Sequence, residues 1–264
     1  YNSSSLFQSN DLISYFTTIP LLFFVDSAHR EMSLFIKFDY PKHSKKRFNM
    51  LTLWGRTSSS NVQKVAWLIA ELELNVEQKD VGGPFGGLDT PEYIAMNPNC
   101  LIPTLQDEKI TIWESEAILR YLGSKYGSMY FPDDFGKRAI IDQWMCRNQS
   151  QWFPAIYAAF IMIMKVPVAE RKADELKRLV DNANQQALFI DNQLGKHRYL
   201  ADDSMTLADF SFAAWLYRYF TLEIERPSLK NLEQYYKILC AGPHYEKHVH
   251  VSYEFMRVPG AERP

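Results

Sequence analysis

A change of pattern within residues 51–72, which read LTLWGRTSSSNVQKVAWLIAEL, decides the fold. The short apolar run Leu51–Trp54 is followed by Gly55-Arg56 and a Ser/Thr cluster, which is typical of a strand that ends in a turn. Apolar side chains then return at steps of three and four residues, which predicts an amphipathic helix opened by the hydroxyl cluster. They are Val62, Val65, Ala66, Ile69 and Leu72. We therefore expect the N-terminus of this helix to lie at the end of the strand.

The residues that follow complete a small α/β domain that ends near Gly127. Short apolar runs separated by turn residues predict strands, and apolar steps of three and four residues predict helices. The predicted elements are a strand at 76–81, a glycine-rich loop at 82–87, a short helix near 91–96, a hairpin of strands 104–106 and 109–113, and a helix opened by Glu114-Ser115-Glu116. The order is strand–helix–strand and then strand–strand–helix.

Beyond Pro132 the apolar pattern is helical almost throughout, which predicts an all-α second domain. The predicted helices cover residues 137–152, 169–194, 206–220 and 228–239. Residues 1–49 show no lasting period and lack the layout of a secretory signal, although a transit peptide stays open. We expect an N-terminal extension at 1–49, an α/β domain at 50–128 and a helical domain at 135–264.

Composition excludes several classes of function. The formal net charge is −2, so no overall field would draw the chain to nucleic acid or to an anionic membrane. The apolar runs at 19–25 and 155–164 fall short of the roughly 20 residues that a membrane-spanning helix needs. Cys100, Cys146 and Cys240 lie far apart, so we expect neither a disulfide framework nor a metal site, and a reducing, cytoplasmic compartment.

Four stretches taken in order resemble the glutathione transferases, in particular serine-type bacterial members related to the theta and phi classes. They are LWGRTSSSNVQKV at 53–65, VGGPFGGLDTP at 81–91, NPNCLIP at 97–103 and WESEAI at 113–118. The resemblance extends from Leu51 into the C-terminal helices. It implies an α/β thioredoxin-like N-terminal domain plus an all-α C-terminal helical domain, the glutathione transferase fold.

The chemistry that this resemblance implies is activation of the glutathione thiol. A cysteine-like thiol has a pKa near 8.5 and is only a few per cent ionised at neutral pH. A hydrogen bond to a charged group contributes about 1.5–3 kcal/mol, so one donated hydroxyl would lower that pKa by about one to two units. The match of the run at 61–64 points to Ser59 as the donor, with Ser58 and Ser60 as alternatives. A helix N-terminus would act in the same direction, although a serine before a helix is usually only a cap.

The resemblance also implies how the rest of glutathione is held. Ile102-Pro103 is similar to the family's cis-proline turn, whose backbone at Ile102 pairs with the cysteinyl part of glutathione. Glu114 and Ser115 are similar to the pair that binds the γ-glutamyl group. Cys100 and Leu101 depart from the family pattern, which leaves the contact to the glycyl end open. The candidate electrophile pocket comprises Trp54, Arg56, Trp144, Arg147 and Trp152, although aromatic residues at helical spacing are more often core.

The function that follows is a glutathione transferase of the detoxification type. It would use glutathione as substrate, without a metal, and would add it to a small hydrophobic electrophile. The alternatives are a noncatalytic binding or interaction protein with this fold and a glutathione-dependent disulfide or peroxide reductase. The resemblance further implies a homodimer. We also expect a chain that starts at Met50 to keep its folding and its glutathione binding.

Overall fold

The computed structural model describes residues 50–262. The predicted extension at 1–49 lies outside these residues. Four strands form one mixed sheet in the order β2-β1-β3-β4, in which β1 pairs in parallel with β2 and antiparallel with β3, and β3 pairs antiparallel with β4. The strands are β1 (Leu51–Trp54), β2 (Val76–Lys79), β3 (Thr104–Asp107) and β4 (Ile110–Trp113).

Three helices complete the N-terminal α/β domain in the predicted order. They are α1 (Ser60–Glu71), α2 (Pro91–Met96) and α3 (Ser115–Tyr126). The switch at Gly55 and the hydroxyl cluster therefore does separate a strand from a helix. The second strand ends at Lys79, two residues before its predicted end at Val81.

The C-terminal domain is helical, as predicted, but it differs from the sequence prediction in three places. The predicted helix at 137–152 divides into an α-helix and a π-helical turn at Asn148–Trp152, while α5 and α9 have no predicted counterpart. The helices are α4 (Phe135–Arg147), α5 (Phe153–Lys165), α6 (Ala173–Leu194), α7 (Leu207–Thr221), α8 (Lys230–Cys240) and α9 (Pro243–Val249). No helix within residues 50–262 is long and apolar enough to cross a membrane.

One hydrophobic core joins the α/β domain to the helices. Trp67 of α1 is 1% exposed, and its ring centroid lies 4.2 Å from that of Phe210 in α7 and 5.0 Å from that of Tyr245 in α9. The start of α7 carries a capping box in which the carboxylate of Asp209 accepts the Thr206 amide proton at 2.7 Å. Burial raises the pKa of Asp209. The contact between Trp67 and Phe210 therefore packs the capped N-terminal part of α7 against α1.

Candidate functional site

The sheet register brings three of the predicted site segments to one edge. Trp54 lies opposite Thr104, and Thr104 lies opposite Trp113. Because β3 runs antiparallel to both of its neighbours, the residues after β1, before β3 and after β4 meet at the same edge of the sheet. These are residues 55–59 between β1 and α1, called the Ser59 loop below, the Ile102-Pro103 turn and the Glu114-Ser115 pair.

Ser59 is the N-cap of α1, but its side chain makes no capping hydrogen bond. Its carbonyl accepts the Gln63 amide proton at 2.9 Å, and the first turn of α1 contains no acidic residue. The half-buried hydroxyl therefore lies at an uncompensated helix N-terminus, where an anion is stabilised. Ser58 and Ser60 are half-buried beside it, so the choice of Ser59 among the three stays a prediction.

The Ile102–Pro103 peptide bond is cis, as predicted. The turn lies against the end of β1, because a Cβ added at Gly55 would lie 3.1 Å from the Cβ of Ile102. Two side chains that the sequence prediction missed hold the residue before this turn by hydrogen bonds. The Tyr93 hydroxyl and the Asn97 amide donate to the Leu101 carbonyl at 2.6 and 2.8 Å.

Glu114 and Ser115 lie at the N-terminus of α3. Glu114 is exposed and has φ 69°, a left-handed conformation that is uncommon outside glycine. The buried Ser115 hydroxyl donates to Asn61 Oδ1 at 3.4 Å, which links the first turn of α3 to the first turn of α1. Two helix N-termini therefore face the same region beside the cis-proline turn.

A buried polar cluster supports these two helices, and the sequence prediction missed it. Lys64 of α1 and Glu116 of α3 form an ion pair of 2.7 Å in which the side chains are 4% and 10% exposed. Glu116 Oε1 also accepts from Ser211 Oγ of α7 at 2.8 Å and from Asn148 Nδ2 at 3.3 Å. The three partners of Glu116 lie 52, 32 and 95 positions from it along the chain, so only the folded chain brings them together.

Arg218 of α7 contacts the Ser59 loop from the helical domain. It is 2% exposed, donates to Gln63 Oε1 at 3.1 Å and to the Ala214 carbonyl at 2.8 Å, and its Nη2 lies 3.5 Å from the Ser58 carbonyl oxygen. Burial, with a smaller contribution from the positive charge of Arg56, lowers the pKa of Arg218 to about 10. No carboxylate within the described residues forms an ion pair with it.

Three residues of the predicted electrophile pocket lie in the helical domain, where they pack against aromatic side chains of α6 and α7. They are Trp144, Arg147 and Trp152. Trp152 is fully buried between Phe212 and Tyr219, and Trp144 is 4% exposed. The Arg147 guanidinium lies 3.7 Å from the ring centroid of Phe189, and burial lowers its pKa. In this conformation Trp152 offers no surface to a substrate, because its ring is enclosed by core side chains.

The remaining two predicted pocket residues, Trp54 and Arg56, lie at the sheet edge. The Trp54 indole donates to Gln106 Oε1 at 2.8 Å, and the Lys79 ammonium lies 4.7 Å from its ring centroid. Arg56 is partly exposed and directly precedes the hydroxyl cluster. No group of three His, Cys, Asp or Glu side chains that could hold a metal was found in the part of the chain that the structure describes.

Comparison with known proteins matches both parts of the chain to one family. The model of the glutathione S-transferase N-terminal domain matches residues 49–124, and that of the glutathione S-transferase C-terminal domain matches residues 148–243. Glutathione S-transferase GstB of Escherichia coli (strain K12) is 31% identical over 201 residues, which is 75% of this chain and 97% of that protein.

Solved structures give the same result. The theta class glutathione S-transferase of Xanthomonas axonopodis pv. citri with glutathione bound is 34% identical, with a TM-score of 0.72 over 76% of this chain and 98% of that one. The glutathione transferase URE2P6 of Phanerochaete chrysosporium, in complex with oxidized glutathione, is 27% identical, with a TM-score of 0.66 over 75% of this chain and 93% of that one.

Proposed function

Because the chain belongs to the glutathione S-transferase family, we propose that it conjugates glutathione to small hydrophobic electrophiles, with Ser59 as the thiol-activating residue. The observation that carries this proposal is the Ser59 hydroxyl, which has no capping partner and lies at the N-terminus of α1. The cis-proline turn and the N-terminus of α3 lie at the same edge of the sheet.

In this mechanism the enzyme stabilises the thiolate of glutathione. The Ser59 O–H donates a hydrogen bond to the sulfur, and the N-terminus of α1 adds a favourable electrostatic contribution. The thiol proton leaves to solvent. The sulfur electron pair then attacks the electrophilic carbon, so that a C–S bond forms while the bond to the leaving group breaks and that group departs with its electron pair.

The rest of the tripeptide would be held at its two polar ends. The exposed Glu114 carboxylate would pair with the γ-glutamyl ammonium, while the Ser115 hydroxyl and the amides at the start of α3 would bind the γ-glutamyl carboxylate. The Ile102 backbone would pair with the cysteinyl backbone. These assignments follow the resemblance, and the shared sheet edge supports them.

Glutathione-dependent disulfide reduction is a second candidate, because one relative is known in complex with oxidized glutathione. A hydroxyl at position 59 cannot form a mixed disulfide. A first glutathione thiolate would therefore attack the substrate disulfide and release one substrate thiolate. This attack leaves glutathione in a mixed disulfide with the other half of the substrate. A second glutathione thiolate would then attack the glutathione sulfur of that mixed disulfide, release the second substrate thiolate and form oxidized glutathione. We further propose a homodimer and a cytoplasmic location, as the family and the three cysteines suggest.

The proposal is tested by retention on glutathione resin, followed by assays with an aryl halide, a peroxide and a disulfide. We expect binding, with turnover of the aryl halide. Binding without any turnover would favour the noncatalytic alternative, and turnover of the disulfide alone would favour the reductase. Ser58→Ala and Ser60→Ala are matched controls for Ser59→Ala. If Ser59→Ala stays within a few-fold of the wild type while a control loses activity, the donor is the other serine.

A further inference from the structure

Arg56 is held next to the proposed thiol donor by its backbone. Its amide donates to the Val81 carbonyl at 3.2 Å, and its own carbonyl accepts the Ser59 amide proton at 3.1 Å. The side chain therefore starts three residues before Ser59, at the sheet edge where the glutathione segments meet. Arg56 is one of the residues of the candidate electrophile pocket predicted from the sequence.

The guanidinium of Arg56 is not satisfied by the protein. Its Nε and Nη1 are buried and have no hydrogen-bond partner within residues 50–262, and none of the ion pairs found there includes it. Arg218, the other guanidinium below this loop, also lacks a carboxylate partner there and is 2% exposed. The positive charge of Arg56 acts on Arg218, so two guanidinium groups without ion-pair partners in the described residues lie near each other here.

The segment that pairs with Arg56 on this side of the site offers no competing cation of its own. Residues 81–101, which form the glycine-rich loop, α2 and the approach to the cis-proline turn, contain no Lys, Arg or His. Instead, the loop makes room for Arg56. Gly83 has φ 58°, and a Cβ at this position would lie 2.8 Å from Arg56 Nε, so a larger residue there would displace the guanidinium.

We propose that Arg56 binds a carboxylate beside Ser59 and thereby determines which substrate the enzyme accepts. A carboxylate fits because a guanidinium offers paired N–H donors in the geometry of its two oxygens. The carboxylate comes either from the glycyl end of glutathione or from an anionic electrophile. This inference rests on the proposed transferase function, because both sources are substrates of that reaction.

The test compares two matched substrate pairs with the full-length protein. The first pair is glutathione and γ-glutamylcysteinylglycinamide, which differ only in the glycyl carboxylate. The second pair is 4-chloro-3,5-dinitrobenzoate and 4-chloro-3,5-dinitrobenzamide, which differ only in the carboxylate of the electrophile. Values of kcat/KM are measured for the wild type, Arg56→Gln and Arg56→Lys. Arg178→Gln, at an exposed position of α6, is the matched control.

We expect Arg56→Gln to reduce the preference for the carboxylate member of one pair by about tenfold or more, as the loss of a charged hydrogen bond predicts. Arg56→Lys, which keeps the charge but not the fork, should lose part of that preference, and Arg178→Gln none of it. A response of the first pair identifies the glycyl end as the source, and a response of the second identifies the electrophile.

Unchanged preferences in both Arg56 variants would overturn the assignment of Arg56 and leave the transferase proposal intact. An equal loss for both members of each pair would also overturn it, because Arg56 would then act on the loop and not on a carboxylate. If the wild type binds neither glutathione nor its glycinamide, the transferase proposal itself fails, and the Arg56 assignment fails with it.

Discussion

Removing one partner of the buried ion pair between Lys64 and Glu116 should destabilise the fold far more than removing one partner of an exposed pair of similar length. The two charged atoms lie 2.7 Å apart, and the side chains are 4% and 10% exposed, so water cannot compensate the survivor when one charge is removed. Breaking such a pair typically costs about 3–5 kcal/mol. We expect Glu116→Gln to lie near the lower end, about 3 kcal/mol, because the amide oxygen can still accept from Ser211.

The assay is urea unfolding at neutral pH, followed by far-UV circular dichroism and tryptophan fluorescence. A double-mutant cycle gives the second measurement. Lys64→Met and Glu116→Leu should each destabilise strongly, while the double variant should lose much less than their sum, because no buried charge is then left unpaired. Asp181→Asn is the control, since Lys177 and Asp181 lie 2.6 Å apart with side chains that are 73% and 51% exposed. That change should have little effect.

Two outcomes would refute this reasoning. A loss of under about 1 kcal/mol for Glu116→Gln would mean that burial does not protect the pair from solvent, because that is the range of exposed pairs. Additive single and double variants would mean that the two charges do not interact. Either result would also mean that this ion pair does not hold α1 against α3.

Three further predictions concern other parts of the molecule. Ser59→Ala should raise the pKa of the bound glutathione thiol by about one to two units. This shifts the rise of the pH profile of kcat/KM for the electrophile, measured at saturating glutathione, to higher pH, and pH titration of the ultraviolet absorbance of the bound thiolate checks it. Burial raises the pKa of Asp107, but the hydrogen bonds from two tyrosines and a lysine outweigh it and lower that pKa overall. The stability difference between the wild type and Asp107→Asn should therefore be full above about pH 4 and fade as the pH falls through the lowered pKa; a difference that grows on acidification would contradict this. Trp67→Ala should cost about 3–5 kcal/mol in urea unfolding, because the ring is 1% exposed and packs on Phe210 of the other domain; a loss under about 1 kcal/mol would show that α1 does not depend on this contact.

The sequence predicted those elements whose polar and apolar residues alternate. The order of strands and helices from Leu51 to Tyr126 follows the pattern most clearly for β1, α1, β3 and α3, because each of these elements buries one side in the core. Helix α5 (Phe153–Lys165) was missed because it is apolar on nearly all sides, so residues 155–164 show no helical period. The π-helical turn before it has no signal of its own in the sequence.

The site could be predicted only where it lies on a motif. Ser59, the Ile102-Pro103 turn and Glu114-Ser115 each belong to a stretch that resembles the family, and the structure brings those stretches to one sheet edge. The supporting contacts could not be predicted in this way. Arg218 is 155 residues from Gln63, and Ser211 is 95 residues from Glu116, so neither pair has a local pattern.

The two domains contribute different groups to the proposed site. The α/β domain supplies the groups that would touch glutathione, whereas α7 of the helical domain supplies Arg218 beneath the Ser58 carbonyl and Ser211 beneath Glu116. The positions of the Ser59 loop and of the α3 N-terminus therefore both depend on α7. Since α7 begins at a capping box whose Asp209 is fully buried, a single ordered helix of the second domain contacts both ends of the proposed glutathione site.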